Sequence, residues 1–443
     1  MKLKKLIILI AAIALIGISC VLFIRSQVSR DNASEGEALP EEALSGSEID
    51  VFPEEDVSLE ENIIEDSPLE ENTVSEPEPV LTDAEQVAFY VLVEDIYTTA
   101  PTDDDYYSIQ NFEAEASMRL YPDRPVGSLY LVWNELPGSF QIAVNGKVQD
   151  YDGSAFLHQY VSLPEASTDI VLITPDHPTH LCDVYAFTPG IPPDWVQQWR
   201  TLGEGEYSDL MLFPTHADDE FLFFGGIIPY YAGELGLNVQ VVYMNRHTGY
   251  DWVRNHELLN GLWTAGDSIY PVINEQEDYL FDSLEETALF YGYNVFTAFQ
   301  IEQIRRYRPS VVIGHDFDGE YGHNTHRLNA ICLKDAVELA SDSTVCPESA
   351  ELYGVWDVPK FYVHLWPQNP IVLDYETPLE SFEGKTALEI AEEAYGCHFS
   401  QHGSYAGVYW RGSYDSHRFG LYRTTVGNDT GNDLMENLSA YTP

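Results

Sequence analysis

The hydrophobic rhythm of the chain changes near residue 200. Before it, apolar and aromatic residues come in short runs: Ser128-Leu-Tyr-Leu-Val-Trp133, Phe140-Gln-Ile-Ala-Val144 and Asp169-Ile-Val-Leu-Ile173. Such β-branched and aromatic runs are the composition of strands. Asn145-Gly146 joins the second run to Lys147-Val-Gln149, the signature of a type I′ hairpin. Pro137-Gly138, Asp152-Gly153 and Pro175-Asp176 mark further turns. An antiparallel β-sandwich is therefore expected over residues 86–200, a size usual for such domains. Pro189-Gly-Ile-Pro-Pro193 and the stretch from Trp195 to Trp199 read as the linker that follows it.

After Tyr207 the rhythm lengthens. Strands are expected at Asp209–Pro214, Val239–Tyr243, Ile269–Ile273, Ser310–His315 and Lys360–Leu365. Helical lengths fall between them, at about 220–235, 252–266, 294–307, 325–340 and 385–395. This alternation implies an α/β fold over 207–443, a Rossmann-like parallel sheet wound right-handedly. No GxGxxG follows the first strand, so a dinucleotide is not indicated. Neither a Walker loop nor a GxSxG elbow is present.

The ends of the chain add topology and charge. Met1-Lys-Leu-Lys-Lys5 precedes an unbroken apolar run from Leu6 to Ile24. That length suffices for a bilayer core of about 30 Å, and the lysines are expected to stay cytoplasmic. Residues 1–26 thus read as a single-pass membrane anchor, with the rest extracellular as on a Gram-positive surface. A cleaved signal peptide, giving a secreted protein, is the alternative. From Asp31 to Glu85 there are 20 acidic residues and no Lys or Arg. Residues 27–85 are expected to be a disordered stalk, because self-repelling charge with little apolar area cannot fold. From residue 86 onward, 53 acids still face 16 bases in a chain whose formal charge is −52. Such a balance argues against nucleic acid and anionic membrane surfaces as partners. Cysteine is sparse and no CxxC occurs; Cys332 and Cys346 are the one pair considered for a disulfide.

Two polar clusters carry candidate chemistry. The first, Thr215-His-Ala-Asp-Asp-Glu220, follows the strand ending at Phe213. It sits at the carboxyl end of a strand, where open α/β sheets place their ligands. One aspartate can ligate a metal with His216 while the other faces a water as general base. Taken alone, Asp218, Asp219 and Glu220 are equally well read as first-turn acids capping the next helix. The second cluster, His315 to His326, also ends a strand, so both emerge on one edge of the sheet. His326 can complete a His216–Asp219–His326 site whose fourth position stays open, as catalytic zinc requires. His323 would face the same opening without ligating, placed to stabilise an oxyanion or protonate a leaving amine, and Tyr321 adds a phenol. Asp176-His-Pro-Thr-His180 with Cys182 and Asp183 is a weaker metal candidate, lacking a general base. Trp133 and Tyr151 are candidates for stacking on a sugar, although strand aromatics more often belong to the core.

His216-Ala-Asp-Asp-Glu220 with Gly225-Gly226, and Gly322-His-Asn-Thr-His326 downstream, resemble the PIG-L (LmbE-like) de-N-acetylase family over about residues 207–400. The resemblance implies one zinc ion on His216, Asp219 and His326, with Asp218 as general base. It gives His323 and Tyr321 the support of the oxyanion or leaving group. Arg254-Asn-His-Glu257 resembles the Arg-x-x-Glu that opens a family helix near the substrate, so Arg254 is expected to bind substrate. The chain departs from the pattern at Ala217, where the family has proline, and at Thr325, where it has aspartate.

These readings predict a zinc-dependent hydrolase that removes the acetyl group from a GlcNAc-type amino sugar in a surface glycan or glycolipid. Hydrolysis of another amide or an ester at the same metal is one alternative. A carbohydrate-binding surface protein that works through its β-domain is another.

Overall fold

The computed structural model describes residues 82–404 and 407–438. The expected anchor and nearly all of the expected stalk lie outside them. Among the described residues no helix is long and apolar enough to cross a membrane.

Ten strands between Phe89 and Phe187 form two antiparallel sheets. The six-stranded sheet runs Ile96–Thr98, Phe89–Val93, Ser117–Pro122, Ile170–Ile173, Gly138–Val144, Lys147–Gly153. The four-stranded sheet runs Gln110–Phe112, Thr179–Phe187, Val126–Trp133, His158–Ser167. The expected hairpin is present: Val144 pairs with Lys147 across Asn145 and Gly146, whose φ angles are 51° and 76°. Alternate residues such as Met118, Leu120, Phe140, Ile142, Leu129 and Leu131 meet between the sheets and are buried. Trp133 belongs to this core, 0% exposed and 5.4 Å from the Phe140 ring. Tyr151 lies stacked on Phe140 at 5.6 Å. The period-2 alternation thus buries Trp133, whereas Tyr151 stays half-buried with its ring against Phe140. His177 and His180 of the weaker metal candidate turn to Asp176 and Glu135 instead of to each other. Cys332 and Cys346 are free thiols.

From residue 210 onward the strands are β1 (Leu210–Leu212), β2 (Val239–Tyr243), β3 (Val272–Ile273), β4 (Val311–Gly314), β5 (Lys360–His364), β6 (Pro370–Val372) and β7 (Arg418–Thr424). Their order across the sheet is β3-β2-β1-β4-β5-β7-β6. The first five are parallel and the last two antiparallel. The chain leaves β1 toward β2 on one side and returns to β4 on the other. The topological switch point therefore falls between the carboxyl ends of β1 and β4, where both polar clusters emerge.

The helices are α1 (Asp219–Leu222), α2 (Arg254–Thr264), α3 (Leu284–Tyr291), α4 (Tyr293–Tyr307), α5 (Asn324–Leu339), α6 (Pro347–Tyr353) and α7 (Ala387–Tyr395). The helix expected over 220–235 is broken into α1 and a π-helical turn at Pro229–Glu234. Gly225 has φ of 55°, and a Cβ there would lie 2.5 Å from the Ser416 hydroxyl. A Cβ on Gly226 would lie 2.7 Å from the Tyr375 ring. The glycine pair thus lets the β7 side of the fold close directly on the segment that follows β1, at the expense of helical continuity.

The sandwich rests on the α/β body through a buried polar chain. His158 Nε2 and His256 Nδ1 lie 2.8 Å apart, and His158 Nδ1 is 2.8 Å from the Tyr130 hydroxyl. Both imidazoles are 0% exposed. Burial holds His256 down at about 3 and His158 well below its ordinary value. Both are therefore neutral when folded, whereas the unfolded chain takes up their protons below about pH 6.5. Their stability contribution is complete above that pH and is lost as pH falls from about 6.5 toward 3. The loss should approach about 1.4 kcal/mol per pH unit for each imidazole. Thermal melts between pH 7.5 and 4.5 should show this decline, and His256→Gln should flatten it. An unchanged slope in the variant would show that the pair does not carry the effect.

Candidate metal centre

The loop after β1 is held in an unusual shape. Asp218 has φ of 124° and ψ of −27°, a region L-residues rarely adopt. Its side chain makes no capping hydrogen bond to α1. Its own N–H donates to Glu220 Oε2 at 2.8 Å, and Glu220 Oε1 is 2.8 Å from His398 Nε2. Asp219 Oδ2 accepts from the backbone N–H groups of Thr215 at 3.1 Å and His216 at 2.8 Å. The acids serve the loop and one another, so the capping alternative fails for Asp218 and Asp219.

The structure brings His216, Asp219 and His326 together. Asp219 Oδ2 is 3.2 Å from His216 Nδ1 and 3.2 Å from His326 Nε2. The two imidazole nitrogens are also 3.2 Å apart. The outer nitrogen of each ring faces a carboxylate: His216 Nε2 lies 3.3 Å from Asp278 Oδ1, and His326 Nδ1 lies 2.8 Å from Glu320 Oε2. With those outer N–H groups donating, three acceptor atoms crowd one point, all within residues at most 6% exposed. Three converging lone pairs repel unless a proton or cation lies among them. A tetrahedral ion with bonds of ~2.0–2.1 Å sets neighbouring donors roughly 3.3 Å apart, so the triangle fits zinc or a similar ion. The electrostatics agree. Burial alone would lower His216, but Asp278 and Asp219 outweigh it and push it up to about 9. His326 is raised against its burial by Asp219. The site attracts positive charge.

The other expected residues surround this triangle. Asp218 is 3% exposed, with Oδ1 3.4 Å from Arg254 Nη2. Burial and the neighbouring Asp219 push its carboxyl up to about 7, partly offset by Arg254. Arg254, the expected substrate ligand, is itself buried and also donates to the Ala217 carbonyl. His323 packs 4.9 Å from the His216 ring and 4.6 Å from the His326 ring. Burial and those two imidazoles hold it down at about 3, in its neutral form. Tyr321 stands at the rim, 40% exposed with φ of 46°, its ring 5.6 Å from that of His323.

Several contributors were not read from the sequence. Glu320, fully buried, accepts from His315 at 2.7 Å, His326 at 2.8 Å and His364 at 2.7 Å. His315 Nε2 lies 3.1 Å from the Thr215 nitrogen and 3.5 Å from Asp219 Oδ2, and its other nitrogen faces Glu320, so the ring borders the triangle. His247 Nε2 accepts the Ala217 N–H at 3.3 Å. A usable signal existed: His315 and His364 sit at the carboxyl ends of adjacent parallel strands, β4 and β5, just as His216 follows β1.

Parallel sheet, switch point and acceptor triangle define an α/β protein with a donor set that could hold a metal ion beside a buried carboxylate. No family model matches the chain. Two curated proteins align with part of it. One is 1D-myo-inositol 2-acetamido-2-deoxy-alpha-D-glucopyranoside deacetylase 1 of Catenulispora acidiphila, 32% identical over 95 residues, covering 21% of this chain and 28% of that protein. The other is the corresponding deacetylase 2 of Saccharopolyspora erythraea, 34% identical over 87 residues, covering 20% and 31%. The chain thus matches under a third of the length of these relatives. Among solved structures, N,N'-diacetylchitobiose deacetylase from Pyrococcus horikoshii is 18% identical with a TM-score of 0.33, over 43% of this chain and 70% of that one. The curated matches bear out the resemblance to PIG-L (LmbE-like) de-N-acetylases carried by the motifs.

Proposed function

We propose that the protein is a metal-dependent N-deacetylase that hydrolyses the acetamido group of an N-acetylated amino sugar. The observation that carries this reading is the acceptor triangle of His216, Asp219 and His326 with the buried Asp218 beside it. Two imidazoles and a carboxylate favour zinc. A divalent cation held there supplies Lewis acidity toward an amide carbonyl and acidifies water.

The chain's own groups then divide the proton work. Asp218, raised to about 7, is both ionised and basic near neutrality, the condition for a general base. It takes the proton of the attacking water, while Arg254 at 3.4 Å fixes its orientation. Neutral His323 donates an N–H to the developing oxyanion, assisted by Tyr321 from the rim. His323 is held too low to store a proton for the leaving group, so Asp218 returns its own to the amine. The C–N bond breaks, and acetate and a free amino sugar leave. We place the substrate in a GlcNAc-type surface glycan or glycolipid. The Met1–Lys5 lysines and the Leu6–Ile24 run support membrane attachment with an external catalytic body.

Acetate release from N-acetylglucosamine, chitooligosaccharides and GlcNAc-lipids tests the reading. Release should stop on chelation and return with zinc, and His326→Ala should lose its bound metal together with activity. Cleavage of esters with N-acetylated sugars untouched would defeat the substrate assignment. Full zinc retention in His326→Ala would defeat the site.

A further inference from the structure

A cleft of about 660 Å³ opens between the four-stranded sheet, the linker after Pro193 and the C-terminal half of α2. It shares no lining residue with the metal triangle, and its volume is in the range of small-molecule sites, ~300–1,000 Å³. Its walls are aromatic, from Tyr106, Tyr185, Trp195 and Trp263. Trp195 is 45% exposed although its ring is braced edge-on against Tyr185 at 5.1 Å and Tyr130 at 5.9 Å. A flat ring that is both fixed and open presents a surface at little ordering cost on binding. Beside it, the Tyr185 hydroxyl donates to Asp104 Oδ1 at 2.6 Å and fixes that carboxylate at the cleft wall. No Lys, Arg or His lines the cleft.

A fixed aromatic face next to a fixed acceptor matches a pyranose, whose C–H face stacks while its hydroxyls donate. Asp104 and the chain's charge of −52 oppose an acidic sugar. We propose that this cleft is a non-catalytic binding site for a neutral or amine-bearing saccharide. It stands apart from the deacetylase reading, though α2 links the two. Arg254 begins the helix beside Asp218, and Asn260 reaches the cleft six residues later, about 9 Å along the axis. A sugar chain held there stays close to the catalytic loop, which raises its local concentration.

The test is equilibrium titration of the full chain in detergent, monitored by tryptophan fluorescence and calorimetry. The chain carries Asp218→Asn and His326→Ala, so that neither turnover nor the metal site contributes. Chitotriose or its fully de-N-acetylated counterpart should bind saturably, and trigalacturonate more weakly. Trp195→Ala should weaken the binding about tenfold, while Trp195→Phe keeps most of it. Asp104→Asn, an exposed change that does not threaten folding, should weaken it several-fold. Absence of saturable binding, or binding unchanged by both Trp195→Ala and Asp104→Asn, would overturn the proposal. Tighter binding of trigalacturonate would overturn its charge selectivity.

Discussion

Asp218→Asn is expected to lower acetate release by roughly three orders of magnitude, with metal content and melting temperature near those of the unmodified chain. The amide copies the carboxylate in size, so packing around a side chain only 3% exposed is kept. Asparagine also tolerates positive φ about as well as aspartate, which matters at a φ of 124°. Arg254 loses its partner at 3.4 Å but retains the Ala217 carbonyl. One buried negative charge next to Asp219 disappears, which relieves repulsion. What remains missing is a proton acceptor. Turnover and metal binding therefore separate in this variant. Acetate release at the parental rate would place the base elsewhere.

Glu320→Gln should act on the metal from outside its ligands, weakening metal retention by about 10- to 100-fold. It should also cost stability, roughly 3–5 kcal/mol, because it breaks a buried charged network. The carboxylate accepts from His315 and His326 on one oxygen and His364 on the other. Glutamine offers one acceptor oxygen and an NH2 group, so at least one ring N–H would meet a donor. His315 would then lose the Glu320 charge, the main attraction that raises it, against burial, to about 9. Competitive chelator titration and thermal melts read the two effects separately. Unchanged metal affinity alongside lowered stability would assign Glu320 to the fold alone.

The parallel strands and the meeting of the two clusters were legible because both depend on local pattern. An apolar run followed by a polar turn reports a strand end, and strand ends on one edge meet at a switch point. His216, Asp219 and His326 could be placed on that basis. Asp278 and Glu320 could not, since acids are abundant in this chain and only tertiary contact singles out the ones facing an imidazole. The break after α1 was equally hidden, because Gly225 and Gly226 answer to Ser416 and Tyr375, 191 and 149 residues further along the chain. Trp133 and Trp195 make the same point from the other side. Composition suits either to a sugar, yet strand register buries the first, and the linker leaves the second open.

Ala217 lies at the centre of the catalytic loop, and its N–H supports His247. A proline there has no N–H to give. Ala217→Pro would therefore remove the contact that ties the loop after β1 to His247, 30 residues further along the chain.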